Sequence, residues 1–329
     1  MNLVEVRQNW PKNLVRIDLE ISNICNYKCW YCWPGSNKGN YKFPEFDLYV
    51  KNLSHLLDHY LTKNPKTKFD FHVVGGEVTH WKRFIEFISV IKEKYDCIFS
   101  LTSNGSKSLE WWKTASKYLD YVVLSSHNEY TDPAHLRDVA DLLYKENVIV
   151  VVSVMMDPKA WNKCMDAVEY YKKSKRRWSI YYSEIIDQGN NIYTQEQQTI
   201  LSKRDVRNSN IFYYLRNNKS YRSVTTIIDD AGKNYRVTDS QIVLDRLNNF
   251  KGWQCMVGVL WVDVKYTGDI TGICGNSLYD QTQSYNIFDV DFVEKFKPVI
   301  EPTICNQDSC WCTFEAKMPK RKVIPIYEN

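Results

Sequence analysis

No run of about 18 apolar residues occurs in the chain, so nothing in it reads as a membrane-spanning helix. The first residues, Met-Asn-Leu-Val-Glu-Val-Arg, lack the apolar core of a secretory signal, and a cytoplasmic protein is expected. Net charge is scarce as well, at +4 for 329 residues, which gives no argument for nucleic acid as a partner. The basic runs Lys172–Arg177 and Lys317–Lys322 read as solvated faces. Without an export signal, the ten cysteines do not read as a disulfide framework; they point to metal. What is present is enough apolar material, 44%, for a large domain and a smaller one, and many tyrosines and tryptophans for cores and pockets.

Eight of the ten cysteines fall into two groups, 25/29/32 and 255/274/305/310/312. Cys97 and Cys164 stand alone and read as small apolar packing residues. The first group, Cys25-Asn-Tyr-Lys-Cys29-Trp-Tyr-Cys32, follows the alternating run Val15–Ile21, which reads as a strand. Three thiolates on one loop can surround a metal centre and leave a coordination position open to a ligand. The plainer readings are a zinc loop lacking its fourth ligand, or cysteines buried for packing.

The pattern then alternates. Helices are expected over 47–62, about 80–94, 108–118, 133–146 and 158–174. Strands are expected over 69–74, 97–102, 121–125, 148–155 and 178–183. A further helix starts near Thr194, where Thr194-Gln-Glu-Gln197 forms a capping box. Six strand–helix units in a row imply an α/β fold with a parallel sheet under helices, too few units for a closed eight-fold barrel but enough for a partial (β/α)6 barrel. Ligands of such sheets bind at the carboxyl ends of the strands. The loops at 25–32, 75–77, 103–105 and 125–128 all follow strands, so they are expected on one rim. There Gly75 and Gly76 would let the backbone approach a ligand, and Glu77 could accept hydrogen bonds from an ammonium group.

The C-x3-C-x2-C spacing with an aromatic before the last cysteine resembles the radical S-adenosylmethionine (SAM) enzymes. Gly75-Gly76-Glu77 resembles their GGE motif, without the proline that often follows. The resemblance implies that Cys25, Cys29 and Cys32 hold a [4Fe–4S] cluster, whose open iron chelates SAM and whose electron cleaves it to a 5′-deoxyadenosyl radical that abstracts a substrate hydrogen. It implies that Glu77 binds the SAM ammonium group. Ser103-Asn104-Gly105 resembles the family's Thr-Asn-Gly, and Ser125-Ser126-His127-Asn128 stands where relatives carry Ser-x-Asp-Gly. Ser103, Asn104, Ser125 and Ser126 are thereby assigned to SAM, Tyr31 to the adenine and Arg137 to the SAM carboxylate. His127 departs from the family's aspartate.

Farther on, Tyr221–Ile228 and Lys233–Val237 read as a hairpin, and 240–249 as a helix. An alternating strand over 257–264, a turn at Tyr266–Asp269 and a return to Cys274 form a second hairpin with Cys255 and Cys274 near its outer ends. A short helix over about 289–297 precedes Cys305-Asn-Gln-Asp-Ser-Cys310-Trp-Cys312. This order resembles the twitch domain, the shortened SPASM domain, and implies one auxiliary [4Fe–4S] cluster. Cys255 and Cys274 would be ligands, with two more from Cys305, Cys310 and Cys312. Four thiolates suit zinc equally well.

The expected organisation is a radical SAM partial barrel over 1–210, a linker over 211–250 and a small α+β twitch-like iron–sulfur domain over 251–329. The expected function is a radical SAM oxidoreductase or maturase that modifies a peptide or protein side chain. Radical dehydrogenation of an aminocyclitol-like small molecule is the alternative, and a non-catalytic zinc module the second. An electron donor such as flavodoxin or ferredoxin is an implied partner. With 24 residues before Cys25, no fused leader-binding domain is expected.

Overall fold

The computed structural model describes residues 2–7, 11, 13–32, 35–174, 178–185, 192–202, 225–237, 242, 245–271, 285–297, 300–310, 316 and 318–323. The chain divides into two compact units, one of Met1–Asp18, Asp47–Phe69 and Asn210–Asn329, the other of Leu19–Phe46 and Asp70–Ser209.

The second unit is an α/β partial barrel. Strand β1 (Leu3–Arg7) belongs to the first unit. β2 (Leu14–Glu20) and β3 (Lys68–Val74) begin in the first unit and end in the second. There follow α2 (Phe84–Lys94), β4 (Cys97–Ser103), α3 (Leu109–Ala115), β5 (Tyr121–Ser126), α4 (Pro133–Lys145), β6 (Ile149–Met156), α5 (Trp161–Lys172), β7 (Ser179–Glu184) and α6 (Gln195–Ser202). The strands lie in the order β2-β3-β4-β5-β6-β7, with β4/β5, β5/β6 and β6/β7 parallel. Side-chain caps start the helices: Ser108 accepts from Trp111 N, and Asp132 accepts from Ala134 N ahead of Pro133. The Thr194–Gln197 box closes reciprocally. Two expected helices start later than their periodicity suggests. Val78–His80 and Pro158–Ala160 are single 3-10 turns, capped by Glu77 and Asp157, before α2 and α5 begin.

Alternation along the strands separates two faces. Phe71, Val73, Phe99, Leu101, Val122, Leu124, Val152 and Val154 are buried under the helices. Phe71 stacks on Phe99 with centroids 4.6 Å apart, and Phe87 of α2 meets Phe99 edge-on. The opposite parity is more polar, carrying His72, Ser100, Thr102, Ser125 and Ser153. His72 Nδ1 lies 2.9 Å from Ser100 Oγ, and Nε2 lies 3.3 Å from Thr102 Oγ1. Ser100 donates its only proton to the Phe71 carbonyl, so His72 Nδ1–H is the donor in the contact with Ser100. Val123, Val151 and Met155 share that parity with these polar residues, so the second face is mixed.

In the first unit, β1 is central to an antiparallel sheet. Its order is β13 (Thr303–Ile304), β10 (Trp253–Cys255), β14 (Lys320–Lys322), β1, β8 (Thr225–Asp229) and β9 (Asn234–Val237). Val6, Ile227, Ile242, Phe250, Trp253, Cys305, Cys310 and Ala316 form its core. β11 (Trp261–Val264) pairs with β12 (Ile270–Thr271), and Arg16 N of β2 donates to Leu260 O. Helix α1 (Phe46–Lys63) buries Leu53, Leu56 and Leu57, and Tyr60 Oη donates to Gly258 O.

Three expectations change here. Residues 245–249 are turn and coil rather than helix, with Arg246 at φ +54°; of 240–244 only Ile242 is described, and it is helical. The strand expected from 257 starts at 261, because Val259 N and Leu260 N both donate to Met256 O and wind the chain into a turn. Cys255 therefore sits on β10, in the antiparallel sheet, not on an arm of the β11–β12 hairpin. The helix expected over 289–297 is α7, Phe292–Lys295.

Phe99→Ala removes both ring contacts at the centre of the helix-covered face. It should cost about 3–5 kcal/mol and lower the urea midpoint. An unchanged midpoint would show that the β3–β4–α2 core does not depend on this stack.

Candidate functional site

The end of β2 and the turn after β3 are laced together by main-chain bonds. Ile21 N donates to Val74 O, Gly76 N to Ser22 O and Glu77 N to Ile24 O, at 3.0, 2.7 and 2.7 Å. The fit leaves no room for side chains. A Cβ at Gly75 would lie 2.6 Å from Ser22 O, and one at Gly76 would lie 2.2 Å from Ile24 O. The two glycines thus let one loop lie against the backbone that leads into Cys25, rather than simply opening space for a ligand.

The cysteine loop is closed by asparagines. Asn23 Nδ2 donates to Gly35 O and to Asn40 Oδ1, and its Oδ1 accepts from Tyr41 N. Asn37 Nδ2 donates to Cys29 O, and Lys28 Nζ to Asn37 O. Cys29 is buried, while Cys25 and Cys32 are half-buried. Cys25 Sγ accepts from Tyr27 N at 3.3 Å. Burial raises the thiols of Cys25 and Cys29, the latter to about 11. Without metal these are thiols, and metal binding must displace their protons.

Glu77 joins the next two strands. Its carboxylate is buried, and Oε1 accepts from Thr79 N, Thr79 Oγ1 and Ser103 Oγ, at 3.2, 2.7 and 2.8 Å. Oε2 accepts from Asn104 N at 2.7 Å. A carboxylate oxygen has two lone pairs, so Oε2 retains capacity for one more donor. Asn104 Nδ2 donates to Asn26 Oδ1 at 2.8 Å, and Asn26 Nδ2 to Ser106 Oγ at 3.1 Å, tying the cysteine loop to the end of β4.

The end of β5 supplies His127. Its Nδ1 lies 3.0 Å from Tyr31 Oη and 3.4 Å from Cys29 Sγ, and its backbone N–H donates to Thr131 Oγ1. Burial pushes its pKa down to about 4, so it is a neutral imidazole at physiological pH. Burial also raises the Tyr31 phenol, which stays protonated. Ser125 is buried on the same strand, and Ser126 Oγ meets Tyr171 Oη at 2.9 Å on the helix side. Arg137 is not drawn into this network: it binds Asp138 at 2.8 Å and lies over the Tyr170 ring. Trp30 Nε1 donates to Asp157 Oδ2, and Lys159 Nζ sits 3.7 Å above the Trp30 ring. Trp30 and Lys159, with Pro158, Ile192, Thr194 and Gln197, line an open cleft of about 270 Å³.

Asn23, Asn26, His127 and Asp157 are the participants that motif reading missed. The asparagines carried only a turn signal in the sequence, and His127 registered as a departure from an expected aspartate.

Of the second cysteine group, Cys255, Cys305 and Cys310 are buried in the first unit; Cys274 and Cys312 lie outside the described residues. Cys305 N donates to Trp253 O, and Cys310 N to Asn248 O, whose side chain donates back to Cys310 O. Like charges on Cys310 and Cys305 contribute to the raised pKa of Cys255, after the larger effect of burial. Among the described residues, no three His, Cys, Asp or Glu side chains are placed to share one metal ion. A [4Fe–4S] cube asks for something different, since each thiolate binds its own iron.

Gly76→Ala must push Ile24 O away from the position that Glu77 N requires. It should lower the melting temperature by several degrees, the equivalent of at least about 1 kcal/mol. A variant as stable as the parent would mean that the 22–24 backbone yields freely.

Comparison with known proteins gives a family match for this region. No curated protein matches the chain. Among solved structures, native anSMEcpe with bound AdoMet aligns over 86% of this chain and 81% of its own, at 19% identity and a TM-score of 0.48. BtrN in complex with AdoMet and 2-DOIA aligns over 87% of this chain and 85% of its own, at 14% identity and a TM-score of 0.40. Residues 19–139 match the Radical SAM superfamily, and the network from Ser22 through Glu77 and Asn104 to His127 lies wholly inside that match.

Proposed function

We propose that this chain is a radical SAM enzyme whose cluster loop and SAM site are the network described above. The observation that carries the reading is the Glu77 carboxylate. It is buried, held by Ser103 and Asn104, bonded through its backbone to Ile24 beside Cys25, and left with one acceptor position. Three thiols on a loop pinned by asparagine side chains suit a cluster with three protein ligands and one open iron. When bound, the cluster and SAM supply the reducing electron and the 5′-deoxyadenosyl radical.

The residues of this chain bind and orient. Cys25, Cys29 and Cys32 ligate the cluster. Oε2 of Glu77 takes the SAM ammonium group, with Gly75 and Gly76 setting its position. Asn104, Ser103 and Ser125 shape the methionine and ribose side, Ser126 stands behind them bonded to Tyr171 on the helix side, and Tyr31, oriented by His127, lies toward the adenine. Arg137 reaches the SAM carboxylate only by exchanging Asp138 for it.

The polar strand face carrying His72, Ser100, Thr102 and Ser153 suits a substrate with hydrogen-bonding groups near the reacting carbon. We read the substrate as a peptide or protein side chain, with an aminocyclitol-like small molecule as the alternative on the same polar face. An external one-electron donor such as flavodoxin or ferredoxin completes the reaction. In the first unit, Cys255 and Cys274 are read as ligands of an auxiliary [4Fe–4S] cluster in a twitch-like domain, with two more from Cys305, Cys310 and Cys312.

Two measurements test this. After anaerobic reconstitution, iron and sulfide should each approach about eight per chain, for two clusters. About four would remove the auxiliary cluster, and zinc in place of iron would favour the non-catalytic zinc module. Glu77→Gln should weaken SAM binding to the iron-loaded protein at least about tenfold in equilibrium dialysis, since a carboxamide cannot replace the anion. Unaltered affinity would leave Glu77 with a loop-pinning role only.

A further inference from the structure

His127 stands on the turn that follows β5, and that turn fixes its main chain. Its backbone N–H donates to Thr131 Oγ1 at 2.9 Å, and its carbonyl accepts from Tyr130 N and Thr131 N at 2.9 and 2.8 Å. Two tyrosines of the cysteine loop hold its ring. Tyr27 meets it edge-on with centroids 5.8 Å apart, and Tyr31 lies within 11° of parallel to it at 5.9 Å. In this setting Nδ1 is 3.0 Å from Tyr31 Oη and 3.4 Å from Cys29 Sγ. Burial raises the Cys29 thiol, and a hydrogen bond with Tyr31 opposes that rise. The imidazole, the phenol and the sulfur thus form one closed group, and all three belong to the second unit.

The direction of these bonds depends on the state of the sulfur. A free thiol has a proton that it can give to Nδ1 or to Oη. A metal-bound thiolate has none and can only accept. A bond to an ionised acceptor is the stronger one, so the single Tyr31 proton then goes to Cys29 Sγ. The phenol oxygen keeps lone pairs that face Nδ1. A bare Nδ1 lone pair would oppose both these lone pairs and the negative sulfur, whereas Nδ1–H suits both. The ring is neutral, so a proton on Nδ1 leaves Nε2 without one. Reduction of an iron–sulfur centre adds negative charge, part of it on the ligand sulfurs, and donors to those sulfurs favour the reduced state.

We infer that His127, in its Nδ1–H form, holds the Tyr31 hydroxyl on Cys29 Sγ and shares its own N–H with that sulfur, and that these donors raise the reduction potential of the centre bound by Cys25, Cys29 and Cys32. The inference rests on the radical SAM reading above and deepens it, assigning a residue that ligates nothing. His127 is a positioning residue that acts through Tyr31 and Cys29. The redox step is one-electron uptake by the centre from added dithionite, with no ligand bond broken and no proton moved.

The test uses the full chain after anaerobic reconstitution. Dithionite titration followed by electron paramagnetic resonance gives the midpoint of the signal that changes when SAM is added, which sets this centre apart from any other cluster. His127→Leu removes both donors and should shift that midpoint to a more negative potential by about 59 mV, a tenfold change in the ratio of reduced to oxidised centre for one electron. His127→Asn keeps an N–H near the place of Nδ1 and should stay near the parent value. His127→Gln carries its N–H near the place of Nε2 and should shift as Leu does. Tyr31→Phe should shift the midpoint in the same direction, and adding His127→Leu to it should change the midpoint less than His127→Leu does alone.

A parental midpoint in iron-loaded His127→Leu would overturn the inference, while the SAM-responsive signal keeps the cluster reading intact. Absence of a SAM-responsive signal from the parent chain would overturn both. If His127→Leu does not fold or load iron, the Asn and Gln variants decide: equal midpoints in the two, or a parental midpoint in Gln alone, would assign His127 to packing or to Nε2 and overturn the inference.

Discussion

A single buried carboxylate organises the rim of the parallel sheet. Removing a carboxylate from water costs several kcal/mol unless its oxygens are satisfied, and those of Glu77 accept from two directions. Thr79 donates to it from the turn that Glu77 caps, and Ser103 and Asn104 donate from the end of β4, while the Glu77 backbone N–H separately donates to Ile24 O. These bonds fix the spacing of the β2, β3 and β4 loops relative to one another. The cysteine loop inherits its position from that spacing, because Asn26 is tied to Asn104 and Ser106. Rigid placement of this kind is what a site that positions a cofactor needs.

The sheet beneath the rim divides its labour by parity. Aromatic and aliphatic residues on one face pack under α2 to α5, with Phe71, Phe99 and Phe87 in ring-to-ring contact. On the other face, His72 lies within hydrogen-bond range of Ser100 and Thr102. Such a network holds its members in defined orientations and still offers polar atoms to a substrate. His127 plays a comparable part at the rim. As a neutral ring between Tyr31 and Cys29, it orients the aromatic residue of the cysteine loop without adding charge beside the sulfurs.

The antiparallel sheet of the first unit places cysteines in its apolar core in a different way. Their segments are held by main-chain bonds, Cys305 to Trp253 and Cys310 to Asn248, so the sulfurs sit among Phe250, Trp253 and Ile227. Thiols alone would be ordinary core residues there. Lys320 of β14 is buried at the same place, with its Nζ 4.0 Å from Cys310 Sγ.

Much was legible from local pattern alone. The spacing of Cys25, Cys29 and Cys32, the Gly-Gly-Glu triplet and the alternation of apolar strands with 3.6-period helices are short-range properties, and each strand from β2 to β7 lies where its pattern put it. The Thr194–Gln197 capping box was equally local. Other features depend on partners far away in the chain. β1 is a five-residue strand with little pattern of its own, made central by β8 and β14, which follow it by more than 200 residues. The apparent strand from 257 and the second half of the apparent helix over 240–249 had suitable periodicity, but turn bonds at Met256 and a left-handed Arg246 prevailed. Sequence by itself determined the α/β class, the order of its elements and which residue types stand at the strand ends. Only tertiary structure decided that Gly75 and Gly76 serve a backbone contact, that His127 meets Cys29, that Arg137 pairs with Asp138, and that one lysine of a basic tail turns inward. Those outcomes depend on distances between segments, which residue spacing along a chain does not encode.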